Sequence, residues 1–172
     1  MENSNKPAIV TFQMQLEEFL FLGIENVITD SYQNMGTVWD NFFKAGGWDN
    51  IHPYRKEPYW CMVVNHNNHP EYPVYFIGCI VEGISESPEG LTLAKFPARD
   101  YLIVTHEWLP TKEEALGENG LGQIDKYTKI IQIPDGYVRY DEPGSQIVLI
   151  ENENMDTPNG SRWENWIPIK KS

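Results

Sequence analysis

The sequence is short of basic residues. Against 25 aspartates and glutamates it carries only 13 lysines and arginines, which gives a formal net charge of −12. This charge repels the phosphate backbone of nucleic acids, so we expect no direct binding to DNA or RNA. The same field attracts cations, and a positively charged partner therefore fits the composition better.

Cysteines and long apolar runs are also scarce. The two cysteines, Cys61 and Cys79, lie in apolar strand-like runs without the spacing of metal ligands, so we expect neither a disulfide nor a metal site. The sequence has no stretch of 18 apolar residues and no basic and apolar leader before a cleavage site. We therefore expect a cytoplasmic protein that has no membrane partner.

The motifs of several enzyme classes are missing. The sequence has no GxSxG, Walker A or GxGxxG pattern, and its four histidines lack the HxH or HExxH spacing of zinc sites. From these absences we expect no metal and no cofactor. The glycine-rich residues 117–123 follow no clear strand and lack a lysine, so we interpret them as a loop.

Hydrophobic periodicity predicts a single α+β domain that contains two strand-helix-strand-strand units. We expect a disordered tail over residues 1–8 and one domain over 9–172, with the units at 9–87 and 90–170. Each unit begins with an extended segment that bends midway, continues with a helix and ends with two strands. In the second unit the asparagine-rich residues 152–161 are expected to be a loop. The first helix carries a stripe formed by Tyr32, Met35, Val38, Trp39, Phe42 and Phe43.

Three motifs, in this order along the chain, resemble those of the GyrI-like domain, also known as the AraC effector-binding-like domain. They are YFIGCIVEG at residues 75–83, LAKFPARDYLIVTHEW at 93–108 and RWENWIPIKK at 162–171. The resemblance implies an antiparallel sheet, pseudo-twofold symmetry between the two units and a ligand cleft at their junction. It also implies a stand-alone member without a DNA-binding segment.

Two acids in apolar strands, Glu82 and Glu164, are the candidate carboxylates of this cleft. Side chains alternate along a strand, so Glu164 shares a face with Trp166, and Glu82 shares one with Ile80 and Ile84. A carboxylate among apolar residues is either hydrogen-bonded within the protein or left for a ligand. Since structural ion pairs are common, both interpretations stay open.

Aromatic residues would form the walls of the predicted cleft. Aromatic rings attract flat hydrophobic molecules and cations, and a nearby carboxylate selects positive charge. In the resembled family the pocket lies between the helices and the sheet. The candidate ligand-binding residues, besides Glu82, are Trp39, Phe43, Trp60, Trp108, Tyr137, Tyr140 and Trp166. We expect Trp39, Trp108, Tyr137 and Trp166 to line a single cleft, although Trp39 and Phe43 lie on a helix stripe that is usually core.

The resemblance predicts capture of a hydrophobic, planar toxic molecule, and the acids would favour a cationic one. The capture would serve drug sequestration or sensing. The family also offers an enzymatic alternative, a hydrolase of cyclopropanoid DNA-alkylating genotoxins in which Glu164 activates water. A third alternative is a protein partner such as gyrase, although no long acidic run supports it. The sequence leaves the choice between binder and enzyme open.

Overall fold

The computed structural model describes residues 6–29 and 35–172, and these residues form nine β-strands and three α-helices. The strands are β1 (Ile9–Leu16), β2 (Phe19–Val27), β3 (Cys61–His66), β4 (Val74–Val81), β5 (Thr92–Phe96), β6 (Arg99–His106), β7 (Tyr137–Arg139), β8 (Ile147–Thr157) and β9 (Gly160–Lys171). The helices are α1 (Met35–Lys44), α2 (Lys112–Leu116) and α3 (Gln123–Ile130). Residues 1–5 of the predicted tail and Tyr32 of the predicted stripe lie outside the described residues.

All the described strands belong to one antiparallel sheet, which confirms the predicted α+β class. Its strand order is β1-β6-β9-β8-β3-β4-β2-β5, and β7 pairs with β9. The order reads the same from both ends when β1 is matched with β5, β2 with β6, β3 with β8 and β4 with β9. Two related units would give this order, and the pseudo-twofold axis itself stays a prediction.

The extended segment that opens each predicted unit is two strands rather than one bent strand. The first segment breaks at Glu17 and Glu18 into β1, which pairs with β6, and β2, which pairs with β4 and β5. The second breaks at Pro97 into β5 and β6. Each unit therefore supplies an edge strand to the other unit, because β1 lies beside β6 and β5 lies beside β2.

The helices pack on one face of the sheet, here called the helix face. Val38 and Phe42 of α1 pack with Val63 of β3, and Ile124 of α3 packs with Trp163 of β9. The alternate side chains of the same strands form a third apolar cluster on the opposite face, with the following buried aromatic residues: Phe19, Phe21, Phe76, Phe96, Tyr101 and Trp166. None of the described helices is both long and apolar enough to span a membrane.

Two predicted loops are regular structure. Residues Glu118–Gly122 form a turn of π-helix between α2 and α3. Gly120 permits this turn, since a Cβ at that position would lie 2.0 Å from the Ala115 carbonyl oxygen. The loop predicted for 152–161 is mostly strand, because β8 continues to Thr157 and β9 begins at Gly160. The longer β8 carries residues that the sequence analysis had placed outside the sheet.

Candidate functional site

The two central strands, β3 and β8, carry two acids on the helix face. Cys61 pairs with Glu153 and Val63 pairs with Glu151. Residues that pair across an antiparallel ladder point to the same side, and Val63 packs against α1. Both carboxylates therefore lie at the centre of the sheet, on the side that the helices cover.

Two adjoining cavities lie beside Glu153, with volumes of about 200 and 280 Å³. Side chains common to both are Trp60, Cys61, Lys112 and Glu153. The smaller one also contacts Trp39, Phe43, Trp48 and Leu116, and the larger one Met155 and Asp156. We call the two cavities together the helix-face cleft.

A row of stacked rings forms one wall of the helix-face cleft. The Trp48 and His52 rings are parallel to within 6°, with centroids 4.7 Å apart, and the His52 and Trp60 centroids are 4.0 Å apart. The Arg55 guanidinium lies 4.5 Å from the Trp60 ring centre. Burial lowers the pKa of His52. The imidazole is therefore neutral at pH 7 and does not repel a cation in the cleft.

Glu151 has neutral hydrogen-bond partners. The Tyr75 hydroxyl donates to its Oε2 at 3.0 Å, the Asn65 amide also bonds to it, and the Trp39 indole interacts with the same hydroxyl. Burial raises the pKa of Glu151 to about 7, and the charges of Asp125 and Glu153 add to the rise. Ionised Glu151 is therefore a costly charge that a bound cation would stabilise.

Glu153 is the second acid of the cleft. Burial raises its pKa, while hydrogen bonding to the Cys61 thiol and the charge of Lys112 partly oppose the rise. In the described part of the chain, no lysine, arginine or histidine nitrogen lies within 4.0 Å of a Glu151 or Glu153 carboxylate oxygen. Both acids thus lack a bonded cation.

Three of the predicted aromatic residues line this cleft, namely Trp39, Phe43 and Trp60. Phe43 is 56% exposed and Trp60 is 52% exposed, so neither is a core residue. Trp39 is half-buried and also packs against the α1 cluster. The core interpretation of the helix stripe is therefore wrong for Phe43, while the fully buried Phe42 fits it.

Glu164 and Trp166 share a face, as the alternation predicted, and this face is opposite the helices. They line a third cavity of about 190 Å³, which Glu153 also borders. One Glu164 oxygen accepts from the Asn152 amide at 2.8 Å and from the Trp166 indole at 3.2 Å. The other accepts from Nε and Nη2 of Arg162, each at 2.8 Å. Glu164 is 4% exposed, so this acid is neutralised and hydrogen-bonded within the protein.

Trp108 and Tyr140 stack against basic side chains outside the helix-face cleft. The Arg162 guanidinium lies 4.3 Å from the Trp108 ring centre. Tyr140 lies between Arg99 and Lys170, whose charged groups are 4.2 and 4.4 Å from its ring centre. The faces of both rings are thus already in contact with cations of the protein itself.

Glu82 and Tyr137 also lie elsewhere. β4 ends at Val81 and Gly83 has a φ of +73°, so the chain leaves the sheet before Glu82 can share a face with Ile80. Glu82 is exposed, which contradicts its predicted apolar surroundings. Tyr137 packs against the α3 cluster and contacts a small cavity near the end of β9.

The prediction of a single cleft lined by Trp39, Trp108, Tyr137 and Trp166 is wrong. Trp39 and Trp166 lie on opposite faces of the sheet, Trp108 packs on Arg162, and Tyr137 packs beside α3. These residues were chosen because they lie at strand ends or on the helix stripe. Neither criterion indicates on which face of the sheet a ring lies.

Sequence reasoning missed Glu151 and Glu153. The signal was present, because Leu149, Glu151 and Glu153 alternate along one face of a strand that continues through the asparagine-rich segment. In the described residues, no group of three or more His, Cys, Asp and Glu side chains could hold a metal ion.

Comparison with known proteins identifies the family of the chain. A family model described as "Cass2: Integron-associated effector binding protein" matches residues 14–169. The chain belongs to this family. The match confirms the resemblance to the GyrI-like domain. A search of curated protein sequences finds no significant match.

Several solved structures share the fold of this chain. SAV2435, bound to tetraphenylphosphonium, is 12% identical with a TM-score of 0.69, and the match covers 94% of each chain. An integron cassette protein from Vibrio cholerae is 10% identical, with a TM-score of 0.54 and coverage of 93% of this chain and 95% of that one. The EcmrR C-terminal domain is 11% identical, with a TM-score of 0.54 and coverage of 95% and 99%. At these identities the likeness shows the fold.

Proposed function

We propose that this protein binds a hydrophobic organic cation in the helix-face cleft. The observation that carries the proposal is the pair of acids, Glu151 and Glu153, beside an aromatic cleft in which neither has a bonded cation. Bound without chemical change, such a ligand would be sequestered or sensed.

The chemistry of the cleft favours a large, weakly hydrated cation. Trp39 and Phe43 offer ring surface for dispersion and cation–π contacts, which contribute about 0.5 to 2 kcal/mol each. Trp60 already contacts the Arg55 guanidinium and adds ring surface for dispersion. A hydrogen-bonded or directly paired carboxylate adds about 1.5 to 3 kcal/mol. A bulky cation loses little hydration on entry, so most of this attraction is retained as affinity.

A solved neighbour supports this ligand class. SAV2435 is bound to tetraphenylphosphonium, a hydrophobic cation without hydrogen-bond donors. Its fold is that of the present chain, and the aromatic and acidic residues described above offer the groups that recognise such an ion. The geometry gives no comparable support to the hydrolase alternative, because both oxygens of Glu164 already accept two hydrogen bonds each.

The proposal is tested with two ions of the same shape and opposite charge. Tetraphenylphosphonium and tetraphenylborate are titrated into the protein, and binding is followed by calorimetry and by tryptophan fluorescence. We expect the phosphonium to bind and the borate not to bind. Equal affinity for the two ions would show that the acids play no part, and failure of both to bind would refute the proposal.

A charge-matched pair of variants locates the site. Glu151→Gln removes one charge from the face of β8 that also carries Glu153, whereas Glu86→Gln removes one charge from an exposed loop. Only the first should weaken binding of the phosphonium. If both variants weaken it equally, the effect belongs to the net charge of the protein and not to the cleft.

A further inference from the structure

We propose that Lys112 makes the helix-face cleft selective for zwitterionic aromatic molecules over simple cations. This inference rests on the proposed function and adds a second charge to the ligand. The cation of the ligand would face Glu153 and Glu151, its aromatic body would lie against the rings, and its anionic group would face Lys112.

The position of Lys112 is the first observation. It is the first residue of α2 and contacts both cavities of the cleft together with Glu153. Among the described side chains that line the two cavities, Lys112 is the one basic group. A ligand that fills either cavity therefore meets both a carboxylate and an ammonium group.

The second observation is that Lys112 and Glu153 do not close into an ion pair. Within the described residues, Lys112 makes no hydrogen bond and has no carboxylate oxygen within 4.0 Å, although Glu113 and Glu114 are its neighbours in the chain. It nevertheless borders both cavities together with Glu153 and Cys61 of the sheet. The two opposite charges therefore face the cavities separately.

This separation determines which ligands the cleft favours. A simple cation is attracted by Glu153 and repelled by Lys112, so the two charges partly cancel. A zwitterion of suitable length is attracted at both ends, and complementary charge placement is a source of specificity more than of affinity. The rings of Trp39 and Trp60 line the same cavity as Lys112 and Glu153 and would hold the flat body of the molecule.

Two dyes that differ in one group test the inference. Unsubstituted rhodamine carries a xanthylium cation and a free carboxylate, and its methyl ester carries the cation alone. Dissociation constants for both dyes are measured by fluorescence anisotropy with the wild-type protein, Lys112→Gln, Lys112→Arg and Lys129→Gln. Lys129 is an exposed lysine on α3 outside the cleft, so its variant has the same net charge as Lys112→Gln.

We expect the wild-type protein to prefer the zwitterion. Lys112→Gln should shift the ratio of the two dissociation constants toward the ester by about tenfold, because one dye loses an attraction and the other loses a repulsion. Lys112→Arg should keep the wild-type preference, and Lys129→Gln should leave the ratio unchanged.

Three results would overturn the inference. These are an unchanged ratio in Lys112→Gln, an equal shift in Lys129→Gln, and no binding of either dye to a wild-type protein that binds tetraphenylphosphonium. Each of them leaves the proposed cation site intact. Failure to bind tetraphenylphosphonium would instead refute the proposed function itself, so the two failures are distinguishable.

Discussion

Glu151 and Glu164 are two acids of one sheet that lie on opposite faces, each beside tryptophan side chains. Glu164 is paired with Arg162 and accepts further bonds from Asn152 and Trp166. Within the described chain the hydrogen-bond partners of Glu151 are neutral, among them Tyr75, and burial raises the pKa of Glu151 to about 7. The comparison teaches that aromatic surroundings do not distinguish a binding acid from a structural one. Under the proposed function, the two kinds of acid differ in whether a basic side chain of the protein is bonded to the carboxylate.

Removing Glu164 should have the largest effect, and the effect should be on stability. Glu164→Ala leaves the half-buried Arg162 without its partner, and breaking such a pair costs about 3 to 5 kcal/mol. Urea unfolding of this variant should therefore show a large decrease in the free energy of unfolding. The exposed variant Glu86→Ala should stay within about 0.5 kcal/mol of wild type. A loss below about 1 kcal/mol for Glu164→Ala would contradict the claim that Glu164 is a structural acid.

The pH dependence of stability should reveal Glu151. Its pKa in the folded protein, about 7, exceeds its ordinary value of 4.5, so the folded state binds this proton more tightly than the unfolded state. The contribution is fully present below pH 4.5 and is lost as the pH rises to about 7. At about 1.4 kcal/mol per pKa unit, the rise from 4.5 to about 7 amounts to about 3 to 4 kcal/mol.

Glu151→Gln isolates this contribution, because glutamine does not ionise. Relative to wild type, its free energy of unfolding should increase between pH 4.5 and pH 8, as measured by urea unfolding at several pH values. Asp125 and Glu153 contribute to the environment of Glu151, and both stay in place in this variant. A difference between the two proteins that does not change with pH would show that Glu151 is an ordinary surface acid.

Replacing single tryptophans should have a smaller effect, and the effect should be on ligand binding. Trp39→Leu removes a ring from the helix-face cleft, whereas Trp108→Leu removes one that stacks on Arg162. Loss of a cation–π contact should weaken tetraphenylphosphonium binding by about three- to thirtyfold in the first variant only. Calorimetric titration measures both. Equal weakening in the two variants would mean that the ligand contacts neither ring specifically.

Much of the fold was predictable because hydrophobic periodicity is local. The strand alternation correctly placed Glu164 beside Trp166, whose indole donates to it. The exchange of edge strands was not predictable. Nothing in the sequence of β1 indicates that its partner is β6, about 90 residues away, rather than the adjacent β2.

The site was less predictable than the fold. Asparagines suggested that the chain leaves the sheet after Glu151, whereas the hairpin extends β8 far enough to place Glu153 opposite Cys61. For Glu164 the sequence left a structural ion pair and a ligand contact open, and the structure pairs it with Arg162, two residues earlier on the same strand. The partners of an acid are often distant in sequence, as Tyr75 is from Glu151, and the fold brings them together. The sequence alone therefore does not show which acid is paired with a basic side chain.

The most direct test of this account compares the affinity of two folded variants for tetraphenylphosphonium at pH 8. Both Glu151→Gln and Glu164→Gln remove one negative charge, and calorimetry on protein shown to be folded by circular dichroism measures each dissociation constant. The account predicts that Glu151→Gln binds the cation about ten- to a hundredfold more weakly, since the Coulomb attraction of a carboxylate that has little access to water is lost. Glu164→Gln should bind within about threefold of wild type, because its charge is already paired. Weakening in Glu164→Gln alone would contradict the account and place the ligand on the opposite face.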